Sequence, residues 1–268
     1  MRLLALLSAI AIAVSLTAAT AGWVAADDDE GDGNGNGRNN QLGAQPFIFI
    51  GSASDCGTAG SNIVTSAWLG GMGLPDNGSN NPDGSDPHRR LLLSKNGPTP
   101  NCAAAGATIS GIRPGSTITE LGFDYRVGGH CGAGAPRFNI TTTTGLTYFA
   151  GCAGGTQSPA PQDPEWMRVR FTAAQIFPAA GTSPPFVLGP AGTGTQVRSI
   201  SIVYDEGTDT PSLASDPTGV GLAVIDNIDI NGKLITAGSG VADGTQGNRK
   251  PHRGGDEDNG DDRKGHRD

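Results

Sequence analysis

Aromatic, charged and histidine residues are scarce in this sequence, and each shortage narrows the possible functions. Aromatic residues make up 5% of the 268 residues, charged residues make up 16%, and four residues are histidines. The formal net charge of −8 leaves no excess of basic residues for contacts with phosphate groups. We therefore expect no nucleic-acid partner.

The sequence also lacks the motifs of several large enzyme classes. It contains no G-x-S-x-G elbow, no H-E-x-x-H zinc motif and no phosphate-binding glycine loop, although it has 43 glycines. Glu120 and Asp124 share one face of a predicted strand, but four strand residues span about 13 Å, whereas glycosidase carboxylates lie roughly 5–10 Å apart. His130 precedes Cys131, but a secreted cysteine is usually oxidised rather than bound to zinc. These features favour a protein without enzymatic activity.

Only one apolar run is long enough to suggest targeting. Arg2 precedes an apolar run at residues 3–16, and small residues follow it, so residues 1–26 are predicted to be a secretory signal peptide. Cleavage is compatible with small residues at 19–21 or at 24–26. The run is short for a membrane span, and we expect no span elsewhere. The mature protein is predicted to be secreted, extracellular and monomeric.

The four cysteines suit an oxidising compartment. Cys131 stands before the first strand of a predicted hairpin, and Cys152 ends the second strand. Antiparallel pairing brings those two positions together, so we predict a disulfide between them. Cys56 and Cys102 would then form the second bridge, although four cysteines allow three connectivities.

Short β-rich segments, separated by Gly, Pro, Asn and Asp, dominate the middle of the sequence. Leu121, Phe123, Tyr125 and Val127 alternate with polar residues, as on a half-buried strand. Only residues 172–177 look helical. We predict an all-β fold, a β-sandwich of the jelly-roll type. The predicted strands are residues 47–50, 62–69, 90–94, 117–127, 136–142, 146–151, 166–171, 185–188, 197–205, 220–230 and 233–235.

Polar segments flank the predicted sandwich domain, which spans residues 46–237. Residues 27–45 are acidic and rich in Gly and Asn, so they are predicted to be a flexible linker. Residues 238–268 mix both charge signs and cannot bury enough apolar surface to offset their ordering entropy. We predict a disordered tail there, interpreted as a solvated end, with an arm that contacts the cell wall as the alternative.

The strand that begins at Trp166 is the first candidate binding site. Alternation predicts that Trp166, Arg168 and Arg170 face outward, away from the core. An indole beside guanidinium donors can stack on a sugar ring and bond its hydroxyls. In the alternative, Trp166 packs beneath a loop, or the arginines pair with Glu120 and Asp124 on a neighbouring strand.

The segment DNGSNNPDGSD, at residues 76–86, is a candidate site for a structural calcium ion. Its Asp and Asn side chains carry the oxygen ligands that calcium prefers. The spacing differs from the EF-hand loop, because no Glu closes it, and an ordinary surface turn uses the same residue types. The candidate ligands are Asp76, Asn80, Asp83 and Asp86.

The segment IDNIDI, at residues 225–230, resembles the closing strand of jelly-roll carbohydrate-binding and galactose-binding-like modules. The resemblance implies glycan binding through exposed aromatic and polar groups and often a structural calcium ion. It covers this short stretch alone and transfers no binding residue. Within the stretch, Asp226 interrupts the apolar face of the strand. A β-bulge, or a buried carboxylate that accepts hydrogen bonds, would resolve that conflict.

These observations predict a secreted, non-catalytic binding module for carbohydrate, at or outside the cell surface. The expected partner is an extracellular polysaccharide or another cell-surface component, and calcium is the one cofactor considered. The alternative is a structural or adhesive extracellular protein that contacts other proteins through its sheet edges. A jelly-roll glycan hydrolase or lyase is the third hypothesis.

Overall fold

A computed structural model describes residues 41–56, 60, 63–71, 73–74, 88–95, 102–180, 184–206 and 221–244, together with the backbone of residues 24–25. The candidate calcium loop at residues 76–86 lies outside these ranges. Among the described residues, no helix has the length and apolar character needed to cross a bilayer.

The described residues form sixteen strands and three short helical segments. The helical segments are α1 (Ala53–Cys56) and two 3-10 helices, at Cys152–Gly154 and Ala173–Gln175; the second confirms the helical turn predicted there. The strands are β1 (Val24–Ala25), β2 (Gly43–Ile50), β3 (Val64–Leu69), β4 (Arg90–Lys95), β5 (Ala103–Ser110), β6 (Ser116–Thr117), β7 (Leu121–Arg126), β8 (Arg137–Thr142), β9 (Thr147–Gly151), β10 (Thr156–Pro159), β11 (Trp166–Arg170), β12 (Phe177–Pro178), β13 (Gln196–Tyr204), β14 (Leu222–Ile230), β15 (Lys233–Ile235) and β16 (Val241–Asp243).

Two antiparallel sheets pack together as a β-sandwich, which confirms the predicted fold class. In the first sheet the order is β1-β2-β5-β13-β8-β9-β12, with β6 beside β13. In the second it is β10-β11-β7-β14-β4-β3-β16, with β15 beside β14. Most connections between the long strands pass from one sheet to the other, as in the Greek-key connections of jelly rolls. Each sheet therefore combines strands from distant parts of the sequence.

The core lies between the inner faces of the two sheets. Leu121, Phe123 and Tyr125 of β7 point into it, as their alternation predicts. The rings of Phe123, Phe138 and Phe171 meet there with centroids 5.5 to 6.1 Å apart. Burial of such side chains contributes most of the stabilising free energy of a sandwich. Val127, predicted on the same face, is instead 52% exposed because β7 ends at Arg126.

The predicted disulfide between Cys131 and Cys152 is present, with their Cα atoms 5.2 Å apart. It fastens the end of the β8–β9 hairpin to the loop that precedes β8. The backbone N–H of Ala153 also donates to the carbonyl of Gly132 across this junction. Cys102 is disulfide-bonded as well. The side chain of Cys56, its predicted partner, lies outside the described residues.

Strand β5 was not predicted from the sequence, although it lies in the interior of the first sheet. Its sequence, AAAGATIS, contains mostly small residues, which have low strand propensity. At Gly106 a side chain is excluded, because the ring of Phe47 packs directly on this residue and a Cβ would collide with it. Tight packing therefore outweighs propensity in this strand. Strands β1, β10, β12 and β16 were also missed.

The predicted strand at residues 185–188 is wrong. These residues have no regular secondary structure and no ladder pairing. Phe186 is buried there, with its ring centroid 5.2 Å from that of Tyr148. An apolar residue in a covering loop gives the same local signal as an apolar residue in a strand.

Ordered structure continues past both predicted domain boundaries. Strand β2 begins at Gly43, inside the predicted linker, and pairs with β5 from that residue onward. Strand β16 lies inside the predicted tail, and its Ala242 is 2% exposed. Just before β16, Gly238 lies against the indole ring of Trp68, which is itself buried. Backbone pairing and a few contacts order these polar segments without any apolar periodicity.

Removal of the Cys131–Cys152 bridge is expected to destabilise the domain. Replacing both residues with alanine (Cys131→Ala with Cys152→Ala) frees a loop of sequence separation 21 in the unfolded chain. Loss of a native disulfide from a secreted domain costs about 2–5 kcal/mol. The free energy of unfolding, measured by urea titration, should fall by that amount. An unchanged value would show that the bridge does not constrain the fold.

Gly238→Ala tests whether the predicted tail begins later than the sequence suggests. An added Cβ would collide with the Trp68 ring, so we expect a loss of about 1–3 kcal/mol in unfolding free energy. Gly70→Ala is the matched control, because a Cβ there meets nothing within 4 Å. Equal melting temperatures for the two variants would contradict the packing of residue 238 on Trp68.

Candidate functional site

Trp166 does not form the exposed aromatic surface that its position on β11 predicts. It points to the outer side of the second sheet, but it is only 2% exposed. Leu74, Ala160 and Val224 pack around it in a small apolar cluster. The alternation identified the face correctly, but a covering segment near Leu74 determines the burial. Trp166 is therefore a packing residue, and the predicted stacking site is not formed.

Arg168 and Arg170 pair with carboxylates, as the alternative interpretation predicted. The Arg168 guanidinium donates to both oxygens of Asp124, at 3.2 and 3.3 Å. Arg170 reaches three carboxylates: Asp124 at 3.5 Å, Asp229 at 3.2 Å and Glu120 at 3.6 Å. The side chain of Asp124 is fully buried, so its charge requires these partners. The guanidinium groups of Arg168 and Arg170 thus link β11 to carboxylates on β7 and β14.

Strand β14 contains both features that would resolve the position of Asp226. The register with β7 shifts between Asp226 and Asp229, which is a β-bulge, and Asn227 adopts a left-handed φ of 45°. The Asp226 carboxylate is buried and accepts hydrogen bonds from the N–H groups of Leu74 (2.9 Å) and Asn227 (2.7 Å). The bulge also lets the Asn227 amide donate to Asp124, at 3.0 Å.

The pKa of Asp229, a carboxylate of this region, is shifted. Burial raises its pKa to about 6; Arg170 opposes the shift, and the neighbouring Glu120 adds to it. Its Oδ1 accepts the N–H of Gly232, at 2.8 Å, and so ties β14 to the turn that follows. We call these paired residues the outer-face network: Glu120, Asp124, Arg168, Arg170, Asp226, Asn227 and Asp229.

The geometry of the outer-face network is better suited to joining neighbouring strands than to acid–base catalysis. Its buried carboxylates come from two strands, but arginine or backbone donors engage them within the sheet surface. The glycan hydrolase hypothesis requires a carboxylate pair on either side of a substrate bond, in a cleft. Among the described residues, no carboxylate lines the cavity described below.

His130 and Cys131 do not form a metal pair. The sulfur of Cys131 is bonded to Cys152, and the buried His130 ring contacts the Glu206 carboxylate instead. Tyr204 stacks edge-on against that ring, with centroids 5.5 Å apart. In the part of the chain that the structure describes, no group of three or more His, Cys, Asp or Glu side chains could hold a metal ion.

A cavity of about 330 Å³ lies at one end of the sandwich, and we call it the end groove. Residues from the loop before β6, from β13 and from the β14–β15 turn surround it. Its floor is apolar, and its rim carries hydroxyl, amide and cationic groups. The floor residues are Leu42, Ile112, Ile118, Val197 and Ile230, and the rim residues are Arg113, Ser116, Thr117, Asn231 and Lys233.

Two tight turns form the rim of the end groove. In the first, Arg113-Pro114-Gly115-Ser116, the Ser116 N–H donates to the Arg113 carbonyl at 2.9 Å, and Gly115 has a φ of 92°. Proline followed by a glycine of positive φ is typical of a type II turn. This turn fixes Arg113 at the edge of the groove.

The second turn joins β14 to β15 through Asn231 and Gly232, whose φ values are 60° and 74°. An Asn-Gly pair with positive φ at both positions is the type I′ hairpin turn. It places Lys233 directly opposite Ile230 in the ladder. The Asn231 side chain accepts the Thr119 N–H at 2.7 Å and donates to the Thr117 carbonyl at 3.0 Å. These bonds connect the two sides of the groove.

The sequence analysis did not identify any residue of the end groove. The Pro-Gly and Asn-Gly dipeptides at residues 114–115 and 231–232 are visible turn signals. Their meeting at one end of the molecule depends on β6 and β14 lying in different sheets, which local patterns do not specify. The calcium ligands predicted at Asp76, Asn80, Asp83 and Asp86 lie outside the described residues, so that site stays a prediction.

No protein-family model matches this chain, and no curated protein matches it.

The pKa of Asp229 predicts a pH-dependent stability. Because the folded-state pKa of about 6 lies above the ordinary value of 3.8, protonation favours the folded state. This contribution is fully present below about pH 4 and is lost as the pH rises through about 6. Asp229→Asn keeps an oxygen acceptor for Gly232 but cannot titrate. The stability advantage of the native protein over this variant should shrink between about pH 4 and pH 7.

Urea titrations at several pH values measure that advantage directly. Glu165→Gln is the control, because the Glu165 side chain is 67% exposed and belongs to no buried network. For the control, the difference from the native protein should change little with pH. A difference for Asp229→Asn that is constant over the same range would contradict the raised pKa.

Proposed function

We propose that the protein is a secreted, non-catalytic binding module for carbohydrate that acts at or outside the cell surface. The observation that supports the proposal is the end groove, a cavity that combines aliphatic side chains with a polar rim held in place by tight turns. Small-ligand sites are typically concave, mostly apolar and equipped with a few fixed polar groups, in cavities of about 300–1,000 Å³. The end groove has a volume of about 330 Å³, at the lower end of that range, and its lining is more polar than that of a typical small-ligand site.

The chemistry of the rim favours a sugar. A sugar presents hydroxyl groups around a ring whose C–H faces are apolar, so it needs both donors and acceptors above an apolar surface. Ser116 and Thr117 supply hydroxyls, and Arg113 supplies a guanidinium with several donors. The turn hydrogen bonds already fix the rim backbone, which lowers the entropy cost of binding.

The sequence supports an extracellular site of action. The apolar run at residues 3–16 has the features of a signal peptide, and the Cys131–Cys152 bridge suits an oxidising compartment. Calcium at residues 76–86 remains part of the proposal as a structural ion. A binding experiment with and without a chelator tests it.

The adhesive alternative receives less support from the sheet edges. Two described edge strands, β10 and β12, are short and end in proline, at Pro159 and Pro178. Proline has no N–H to donate to an added strand, and short edges with proline are a common protection against edge-to-edge pairing. Contacts with other proteins through these two edges are therefore disfavoured.

A glycan array of the mature protein, with and without EDTA, tests the proposed function. Native protein should bind at least one polysaccharide class. Ser116→Trp places a large ring in the end groove and should abolish that binding. Ser199→Trp is the control. Ser199 is exposed on β13, the strand that pairs with β6 and its Ser116, but it does not line the groove. Binding retained by Ser116→Trp, with a native melting temperature, would contradict the assignment of the groove.

A further inference from the structure

A row of uncharged side chains crosses the outer face of the first sheet. Ser201 of β13 lies opposite Thr108 of β5 and, on its other side, opposite Asn139 of β8. Asn139 lies opposite Phe149 of β9, which in turn lies opposite Phe177 of β12. Directly opposed residues share one face of a sheet. We call the six residues that these pairs connect the cross-strand row: Gln45, Thr108, Ser201, Asn139, Phe149 and Phe177.

The cross-strand row points away from the core. Its members on β5, β13, β8 and β9 each stand between two core residues, as Ser201 does between Ile200 and Ile202. Gln45, Thr108 and Phe177 are exposed, Phe177 to 57%, and the other three members are half-buried. In the part of the chain that the structure describes, the hydroxyls of Thr108 and Ser201 make no hydrogen bond. Those groups are therefore available to a ligand.

Arg137 holds the middle of the row in place. Its guanidinium donates to both carboxylate oxygens of Asp205, at 2.6 and 2.7 Å, so the two charges offset each other. Its Nε donates to Oδ1 of Asn139 at 3.0 Å, which leaves the amide N–H groups of Asn139 for a ligand. The guanidinium also lies 5.0 Å from the ring centroid of Phe149. Phe149 is thus covered on one side, and Phe177 is the open ring of the row.

The shape of the row suits a single extended chain. Six neighbouring strands at a spacing of about 4.8 Å give the row a length of about 24 Å. Successive strands of a twisted sheet rotate by about 20–25°, so the side chains wind gently around the axis of the row. One chain that runs across the strands can follow such a path, whereas a flat crystalline surface would touch only part of it.

We infer that the cross-strand row binds one extended chain of a neutral polysaccharide, as a second site in addition to the end groove; this inference rests on the proposed carbohydrate-binding function. The hydroxyl groups of Thr108 and Ser201 both donate and accept hydrogen bonds, and so do the hydroxyl groups of a sugar. The ring of Phe177 offers an apolar face on which the C–H side of a sugar ring stacks.

Other classes of ligand fit the row less well. A charged polymer would lose hydration without gaining an ion pair, because no member of the row is charged and Arg137 is paired with Asp205. The cores of protein–protein interfaces are enriched in aromatic residues, Met and Arg and are depleted in Ser. The row instead offers hydroxyl and amide groups with one open ring at its end.

Affinity electrophoresis of the mature protein in gels that contain neutral polysaccharides tests this inference. The probes are hydroxyethylcellulose, xyloglucan, galactomannan and dextran, and at least one of them should retard the native protein. Carboxymethylcellulose, the acidic counterpart of hydroxyethylcellulose, should bind no more tightly than the neutral form. Added salt should change the Kd of the neutral polymer little, because no ion pair forms. The disaccharide unit of the bound polymer, too short to span the row, serves as the probe for the end groove.

Phe177→Ala should raise the Kd of the polymer roughly threefold to tenfold, the effect of losing one stacked ring. It should leave the Kd of the disaccharide unchanged, since Phe177 does not line the groove. Val127→Ala is the matched control, because Val127 is 52% exposed and follows a strand of the other sheet. The control should bind the polymer like the native protein.

A double variant, Thr108→Val with Ser201→Ala, removes two hydroxyls from the row and nearly keeps its shape. It should weaken polymer binding by a similar factor, because each lost hydrogen bond costs about 0.5–1.5 kcal/mol. The same exchange on β10, Thr156→Val with Ser158→Ala, is the control, since both residues are exposed in the other sheet. That control should not weaken polymer binding.

The possible results separate this inference from the proposed function. Unchanged polymer binding in Phe177→Ala and in the Thr108 and Ser201 double variant would overturn the row, and so would failure of all four neutral polymers. The carbohydrate-binding function would then stand if the glycan array gives binding that Ser116→Trp abolishes. Failure of every polymer and of every saccharide on the array would overturn both. Polymer binding that only the row variants weaken would support both.

Discussion

The buried charge of Asp124 is the constraint on which much of the second sheet depends. A fully buried carboxylate must be paired, because an isolated buried charge is costly. Removing Asp124 would in turn leave the arginines that pair with it without that partner. Arg168 and Arg170 approach it from β11, and Asn227 approaches it from the bulge of β14. The neighbouring strands β11, β7 and β14 are therefore joined by side chains as well as by their backbone ladder. Removing one partner of such a group typically costs about 3–5 kcal/mol.

The same network extends to the edge of the end groove. Arg170 connects Asp124 to Asp229, and Asp229 accepts the N–H of Gly232 in the turn that carries Lys233. On the other side, Asn231 bonds the backbone near β6. A groove whose rim is fixed in this way is formed before any ligand arrives, so binding requires little ordering. The network thus has a structural role that also serves the proposed site.

The sequence predicted the strands of the core well because burial leaves a local signature. The alternation at Leu121, Phe123 and Tyr125 results from one face meeting the core, and the structure confirms it. Prediction failed where the deciding contact is distant. Trp166 lies on the predicted face, but Leu74, far away in sequence, covers it. Strand β5 has weak local propensity, and its ladders with β2 and β13 and the packing of Phe47 on Gly106 are contacts with distant parts of the sequence.

By itself, the sequence determined the all-β class, most strand positions and the Cys131–Cys152 bridge. It also showed that Asp226 interrupts the apolar face of its strand. Each depends on neighbours along the chain or on a hairpin that joins them. Only the tertiary structure decided that Trp166 is buried, that Arg168 and Arg170 neutralise carboxylates, and that Arg113 and Lys233 border one groove. Those outcomes depend on which strands become neighbours when the chain crosses between two sheets. Strand order is set by the packing of the whole core, and a period of two along one strand carries no information about it.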